Sequence, residues 1–588
     1  MMKYLKRYFF IAIFLLLAVP ASADTLGQNQ SFYVSPQYDA QSRARISATL
    51  RNVSEHAYFY VEDNYWNGIS SDTRNQVLNW IASLGQEFDG RIYPMETQFF
   101  GSEPNPGIDN DSRITILLSP LIENAGGYFD TANDYPKSQV PSSNGREMIY
   151  INIAALSDRG KINAFLAHEF QHLISFNQKE RLRNVTDDTW LNELRSEYAV
   201  TLLGYNDNFT GSHLEKRLQA FIENRSDSLT EWKNQPADYG QIGLFGEYLA
   251  EHWSPKVIAD TLKTSLVGMA SINDTFKQNG FSDSFLNAFS QWTAANILND
   301  TSVNPKFGYT RDGLKAFHIA PTKTFINLGD DIILATSDAV KDWQGRWYDV
   351  SQFANGGQSV LKINFSSSSV ASFYVSYLVL KNDGSQVLSV FNPAIGSSTL
   401  YVNDIGTDIK RIILMPIKRD KISGFMSDET VVSLALSVER IGAIPQEATT
   451  SPTLPPSTPT PTISAINFPL PNIPDGSLIR ADNDYKVYVV NGGWRRHIIS
   501  SKIFSFYPQF SFDKVKVVTP SVLAQYRESD LVRYQAGTKV YSVDESGEKH
   551  WLNISAGQFS DSSRAWDSIF EINLHELTFY EIGANITK

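Results

Sequence analysis

The sequence predicts a multidomain chain: an α+β domain whose later half is helical, then an all-β sandwich, then a linker and two small β-rich repeats. Three observations carry this. Between residues 24 and 303, short apolar runs give way to segments whose apolar residues recur near every 3.6 positions, the helical period. From 304 to 445 the pattern changes to β-rich runs separated by Gly, Ser, Asn and Asp. Residues 446–470 are rich in Pro and Thr, and residues 471–588 carry one pattern twice. With 588 residues, 42% apolar and 12% aromatic, there is ample material for several packed cores. The net charge of −12 argues against nucleic acid or an anionic membrane as a partner.

Residues 1–23 read as a secretory signal. Lys3, Lys6 and Arg7 form a basic start, Phe9 to Val19 an apolar core short for a bilayer, and Ala21-Ser22-Ala23 a small-residue cleavage site. The mature chain is expected to begin near Asp24. It has no cysteine. In an exported protein of this size that points to a bacterial source, with stability drawn from core burial rather than disulfides.

From Asp24 to Leu156 the pattern is mixed. Asn75 to Phe88 places Val77, Leu78, Trp80, Ile81, Leu84 and Phe88 at helical spacing, and Arg113 to Leu118 reads as a strand. Before that strand lies an acidic turn, Gly107 to Asp111. Its Asp109 and Asp111 offer hard carboxylate oxygens at alternate positions, which suits a calcium ion (Ca2+) and equally suits plain turn chemistry. Gly126 to Asp130 and Glu147 to Asn152 read as two more strands, leading into a helix capped by Ser157 or Asp158.

That helix contains His168, Glu169 and His172, the H-E-x-x-H pattern. Residues four apart project from one helical face about one turn separated, near enough for the two imidazoles to share one zinc ion (Zn2+). Glu169 flanks that face, where it can take a proton from a water. A third ligand stands downstream: Trp190 to Tyr198 places Glu193 and Glu197 one turn apart on a second helix, expected from Asp188 or Thr189 to Leu203. Three protein ligands leave the open position a catalytic zinc needs. Asn177 to Asp187, between the helices, is polar and reads as a mobile loop.

His168-Glu169-x-x-His172 followed by Asn192-Glu193-x-x-Ser196-Glu197 resembles the thermolysin-type zinc peptidases, the gluzincins. The wording around it, His-Glu-Phe-Gln-His-Leu-Ile and then Trp-Leu-Asn-Glu with Ser-Glu-Tyr-Ala, is similar to the hyicolysin-type bacterial neutral metallopeptidases. The resemblance implies a zincin-like catalytic domain with zinc on His168, His172 and Glu193, and Glu169 as general base. It also implies that Asn192 and Glu197 orient the two rings by accepting their second N–H. Leu194 departs from the family pattern, where Gly often follows the ligand Glu, and bears on local packing. The metzincin pattern fails, because Ser175 and Gln178 stand where its Gly and third His belong. An aminopeptidase would need an acidic anchor for the substrate N-terminus, and no Gly-x-Met-Glu-Asn type motif precedes His168.

The family further implies an edge strand ahead of the active helix that pairs with substrate backbone, for which residues 126–130 are the candidate. Its helical second lobe matches His213 to Glu223, Gly240 to Trp253, Val257 to Ser265 and Ser282 to Leu298. That lobe is expected to supply an oxyanion donor, from Tyr239, His213 or His252. Tyr239 is preferred because Asp238-Tyr239-Gly240 precedes an apolar helix in a manner similar to the hyicolysin-type sequences.

The sandwich of residues 304–445 is read from runs at Val360–Asn364, Ser372–Leu380, Gln386–Phe391, Thr399–Val402, Arg411–Pro416 and Val431–Val438. Its composition fits substrate binding, glycan binding or a simple cap equally. The linker favours extended polyproline geometry and acts as a tether. The repeats, about 475–527 and 528–580, are offset by 53 residues: Leu478-Ile479-Arg480 with Lys486-Val487-Tyr488 recurs as Leu531-Val532-Arg533 with Lys539-Val540-Tyr541. They resemble repeats at the ends of bacterial cell-surface proteins, which implies attachment to a cell-envelope component. His497 and His550 fall in their strands and read as structural.

The expected function is a secreted, monomeric zinc endopeptidase acting on peptides or proteins, extracellular or associated with the cell surface. The competing class is an inactive zincin-like surface protein that binds an envelope or matrix partner through its C-terminal modules.

Overall fold

The structure is a computed structural model and describes residues 23–444 and 473–587, apart from short breaks between 327 and 563. The signal segment up to Ser22 and the linker therefore lie outside the described residues. Residues up to 445 form one compact unit and residues from 446 a second.

The first unit begins with a six-stranded sheet. Its strands are β1 (Asn29–Tyr33), β2 (Arg45–Val53), β3 (Ala57–Glu62), β4 (Ile114–Ser119), β5 (Gly127–Phe129) and β6 (Met148–Asn152), in the order β1-β2-β3-β4-β6-β5. Strands β3, β4 and β6 run parallel, with Tyr58 opposite Thr115 and Leu117 opposite Tyr150. Every residue of these three is buried, as a central parallel strand covered on both faces requires. Strand β5 is antiparallel to β6 and lies at the sheet edge.

Helices α1 (Asp63–Gly68), α2 (Ser71–Glu87) and α3 (Tyr93–Phe100) connect β3 to β4. Then come α4 (Arg159–Phe176) and α5 (Thr189–Leu202). Asp158 caps α4 by accepting from the Lys161 N–H at 3.1 Å. The helical part continues with α6 (His213–Glu223), α7 (Pro236–His252), α8 (Pro255–Asp260), α9 (Gly268–Gln278) and α10 (Phe285–Leu298). The helix α9 and the strands β1 to β3 were not individually legible. The segment after α4 corrects the expected mobile loop: Asn177–Arg181 is one π turn, with Asn177, Gln178 and Lys179 buried. Polar side chains hold it, since Asn177 donates to the Ser102 carbonyl at 2.8 Å and Lys179 to the Leu266 carbonyl at 2.6 Å.

Two sheets follow within the same unit. One holds Ser397–Val402, Val360–Ser367, Val432–Ile441 and Ile333–Val340; the other holds Gln386–Phe391, Phe373–Lys381, Ile409–Lys418, Tyr348–Ser351 and Lys323–Ile326. Their facing side chains, among them Leu361, Ile363, Val375, Leu414 and Val438, form one core. The opposite face of the five-stranded sheet contributes Leu378, Ile413 and Met415 to the core of the helices. Trp347 joins them, donating its indole N–H to the Thr293 carbonyl in α10 at 2.8 Å.

In the second unit each repeat builds a five-stranded sheet with the same order and sense. A central antiparallel trio, Leu478–Ala481, Tyr488–Asn491 and Trp494–His497 in the first and Leu531–Tyr534, Val540–Val543 and Glu548–Trp551 in the second, is flanked on both sides by short parallel strands. The two repeats share a core that includes Leu478, Trp494, Val532, Phe570 and Ile572.

Candidate metal centre

Helices α4 and α5 bring together the three residues that motif spacing selects. His168 Nε2 lies 3.2 Å from Glu193 Oε2 and 3.2 Å from His172 Nε2, and His172 Nε2 lies 3.5 Å from Glu193 Oε2. Zinc with ligand bonds near 2.1 Å and tetrahedral angles needs ligands about 3.4 Å apart. The triangle therefore fits one ion. The donor chemistry agrees: Glu193 Oε2 is buried without a hydrogen-bond partner, an acceptor aimed where a cation belongs.

Each ring is fixed from behind, which aims its Nε2. His168 Nδ1 is 3.4 Å from Glu197 Oε1, and Glu197 is held in turn by Arg217, whose Nε and Nη2 donate at 2.8 and 2.7 Å. His213 Nε2 lies 3.1 Å from the same carboxylate. Burial opposes charge on Glu197, yet Arg217 and His213 outweigh it and hold the carboxyl well below its usual range. His172 Nδ1 faces Ser196 Oγ at 3.1 Å, and Ser196 donates to Gln171 at 2.7 Å.

Asn192 is the correction here. Its Oδ1 is buried without a partner, so Ser196, one turn further along α5, takes the place beside His172. The nearness of Ser196 to His172 was within reach of the sequence, because it stands one turn from Asn192 on the same helical face.

Leu194 is fully buried and meets Gly246 of α7: a Cβ at Gly246 would sit 3.3 Å from the Leu194 side chain. The close approach of α5 to α7 is thus made by a glycine on the facing helix. On the other side of α4 the edge strand comes equally close. A Cβ on Gly127 would lie 2.7 Å from the Tyr150 carbonyl and 2.8 Å from Glu169 Cγ. Only glycine admits this approach.

Electrostatically the centre is a half-buried ion cluster. Burial opposes a charged His168, but the adjoining carboxylates of Glu193 and Glu197 push its imidazole up to about 10. Burial likewise opposes ionised Glu193, and the two imidazoles draw it down to about 2. Burial raises Glu169 above the ordinary carboxylate value, which makes it the better proton acceptor.

Of the three proposed oxyanion donors, Tyr239 faces the centre. It lies in the first turn of α7, its ring 6.5 Å from that of His168, with its phenol donating to Asn234 at 2.9 Å. Arg217 covers its ring at 4.4 Å. His213 instead supports Glu197, and His252 bonds the Gly308 carbonyl at 2.8 Å. Sequence reasoning missed Tyr38. Its phenol is raised by burial and by the charges of Glu169 and Glu193; its ring stacks at 4.7 Å on Tyr128 of β5. No local signal marks a tyrosine 130 residues upstream of His168.

In the acidic turn, Asp109 accepts from the Asp111 N–H at 2.9 Å, and Asp111 accepts from the Arg113 N–H at 3.0 Å and the Tyr58 hydroxyl at 2.7 Å. The first two are bonds within the turn, and the third ties it to β3.

No family model matches the chain. It is similar to the neutral metalloprotease ShpI of Staphylococcus hyicus, at 28% identity over 232 residues covering 35% of this chain and 48% of that protein. The chain thus spans about half the length of the curated relative it matches. Among solved structures it is similar to the catalytic module of the metalloprotease ZmpA from Clostridium perfringens, at 11% identity over 61% of this chain and 66% of that one, with a TM-score of 0.22. A second is the M60 catalytic domain with two CBM51 domains of Clostridium perfringens ZmpB, at 11% identity over 66% and 59%, also with a TM-score of 0.22. The resemblance to hyicolysin-type neutral metallopeptidases, first read from the two helical motifs, is found again in the relative from Staphylococcus hyicus.

Proposed function

We propose that this chain is an exported zinc endopeptidase of the gluzincin type, which hydrolyses internal bonds of peptides or proteins outside the cell. The observation that carries the reading is the triangle of His168 Nε2, His172 Nε2 and Glu193 Oε2 with Glu169 adjoining it. The metalloprotease relative supports the same class. Export rests on the signal-like residues 1–23, and no described helix is long and apolar enough to cross a membrane.

Zinc held by the three ligands would supply Lewis acidity, bringing the pKa of water towards neutrality and polarising the scissile carbonyl. Strand β5, at the sheet edge beside α4, pairs with the substrate backbone and sets the carbonyl over the centre. Glu169 takes the proton of the attacking water and passes it to the leaving amine. Glu197 and Ser196 keep the imidazoles in one orientation throughout. Tyr239 turns its hydroxyl from Asn234 to the developing oxyanion, a contribution worth about 3 kcal/mol in well-studied enzymes.

Casein hydrolysis by the secreted protein tests this. Glu169→Gln is expected to bind zinc as the parent does and to lose at least about 100-fold in rate. A zinc-loaded parent that cleaves neither casein nor any member of a peptide library would favour the binding protein instead.

A further inference from the structure

Besides the His168 centre, one other group of described side chains brings three ligand atoms together: Asp544, Glu548 and His550, in the second repeat. Asp544 follows the strand Val540–Val543, and Glu548 and His550 lie two apart on the next strand, so both project to one face. Asp544 Oδ1 accepts from the Ser546 N–H, the Ser546 hydroxyl and the Glu548 N–H at 2.9, 2.6 and 3.0 Å. Those bonds fix the carboxylate and direct its other oxygen to His550 Nε2, 3.2 Å away. Glu548 Oε2 lies 3.9 Å from the same nitrogen.

The other side of the ring decides what Nε2 is. His550 Nδ1 is 2.9 Å from the Ala584 carbonyl, which only accepts, so Nδ1 carries the hydrogen. In the neutral ring Nε2 is then a lone pair facing two carboxylate oxygens. The Nε2 lone pair and the Asp544 and Glu548 oxygens thus converge on one point, as the ligands of a divalent ion do. A backbone carbonyl behind Nδ1 is the support that metal-binding imidazoles ordinarily have. The tail is shaped to give it: a Cβ on Gly583 would fall 2.3 Å from the His550 ring.

The first repeat shows that the sheet does not require this set. The turn of the second hairpin is one residue longer, and the strand register, Val489 opposite Arg496 and Ser542 opposite His550, puts Asn491, Trp494 and Arg496 at the corresponding places; Arg496 is a buried structural cation that donates to Glu576 at 2.7 Å. The acceptor cluster is therefore an addition to the second repeat.

We propose that Asp544 Oδ2, Glu548 Oε2 and His550 Nε2 form a second metal site, taking a divalent first-row ion of the zinc class. An imidazole among the ligands selects such ions over calcium or magnesium. The side chains remain 22% (His550), 30% (Glu548) and 44% (Asp544) exposed, so coordination positions face solvent and are open to water or to a ligand from a partner. Binding would staple the tail at Ala584 to the central hairpin.

The test is the zinc content of the full chain after equilibrium dialysis against micromolar buffered zinc. The parent is expected to bind two equivalents, and His550→Ala and the nearly isosteric Glu548→Gln to bind one, or the second at least tenfold more weakly. The doubly substituted His168→Ala, His172→Ala chain should retain one, which separates this site from the catalytic reading. A parent saturating at one equivalent that the His168→Ala, His172→Ala chain no longer binds, or two equivalents retained in both His550→Ala and Glu548→Gln, would overturn the proposal and leave a protonated imidazole beside Asp544.

Discussion

Two imidazoles 3.2 Å apart at their Nε2 atoms, with a carboxylate oxygen completing the triangle, are poorly placed without a cation and well placed with one. What keeps them there is the layer behind. Glu197 carries the imidazole of His168 on one side and Arg217 and His213 on the other, so removing its charge leaves the half-buried Arg217 without its carboxylate. Glu197→Gln should weaken zinc binding by about 10- to 100-fold, measured by competition with a chelator. Ser196→Ala should weaken it less, because a neutral hydroxyl is lost instead of an ionised one. Equal affinities in all three proteins would remove the positioning role. The ligands were legible in the sequence because helical periodicity converts a spacing of four directly into a shared face. Tyr38 and Arg217 were not, because nothing local announces which distant side chain a tertiary fold will bring to a cleft.

At the scale of elements, the centre depends on how closely β5 lies against α4. The contact is made by a backbone without a side chain: Gly126 faces the Phe165 ring, and Gly127 faces Glu169. Gly127→Ala should cost about 1–3 kcal/mol by overpacking and lower kcat by displacing Glu169. Gly90→Ala, where a Cβ meets nothing within 4 Å, should change neither thermal midpoint nor rate. Strands β4, β5 and β6, helices α2, α4 to α8 and α10 and six of the sandwich strands were readable, since most have either an apolar run or a clean period. The π turn at Asn177–Arg181 was not. Its residues are polar because they satisfy carbonyls of neighbouring segments, and polarity alone resembles a loop.

Across the whole molecule, the sequence separates residues 24–303 from 304–445, while the structure lets them share a core. Trp343 packs edge-on against Phe285 and Phe289 of α10, at 4.9 and 5.6 Å, and Trp347 is fully buried beside them. A change of period marks where strands begin, and carries no information about which face they will cover. A chain ending at residue 445 should therefore stay folded and keep its casein rate. One ending at residue 303 should lose its cooperative thermal transition, because Phe285, Phe289 and Trp292 would face water; an intact transition would show that the sandwich is an independent appendage. The proposed chemistry converges on one point in space, and zinc-edge anomalous diffraction from crystals of the full chain examines that point directly. The predicted result is a peak about 2.1 Å from His168 Nε2, His172 Nε2 and Glu193 Oε2; zinc-loaded crystals with no density there, or with the Glu193 carboxylate turned away from both imidazoles, would contradict it.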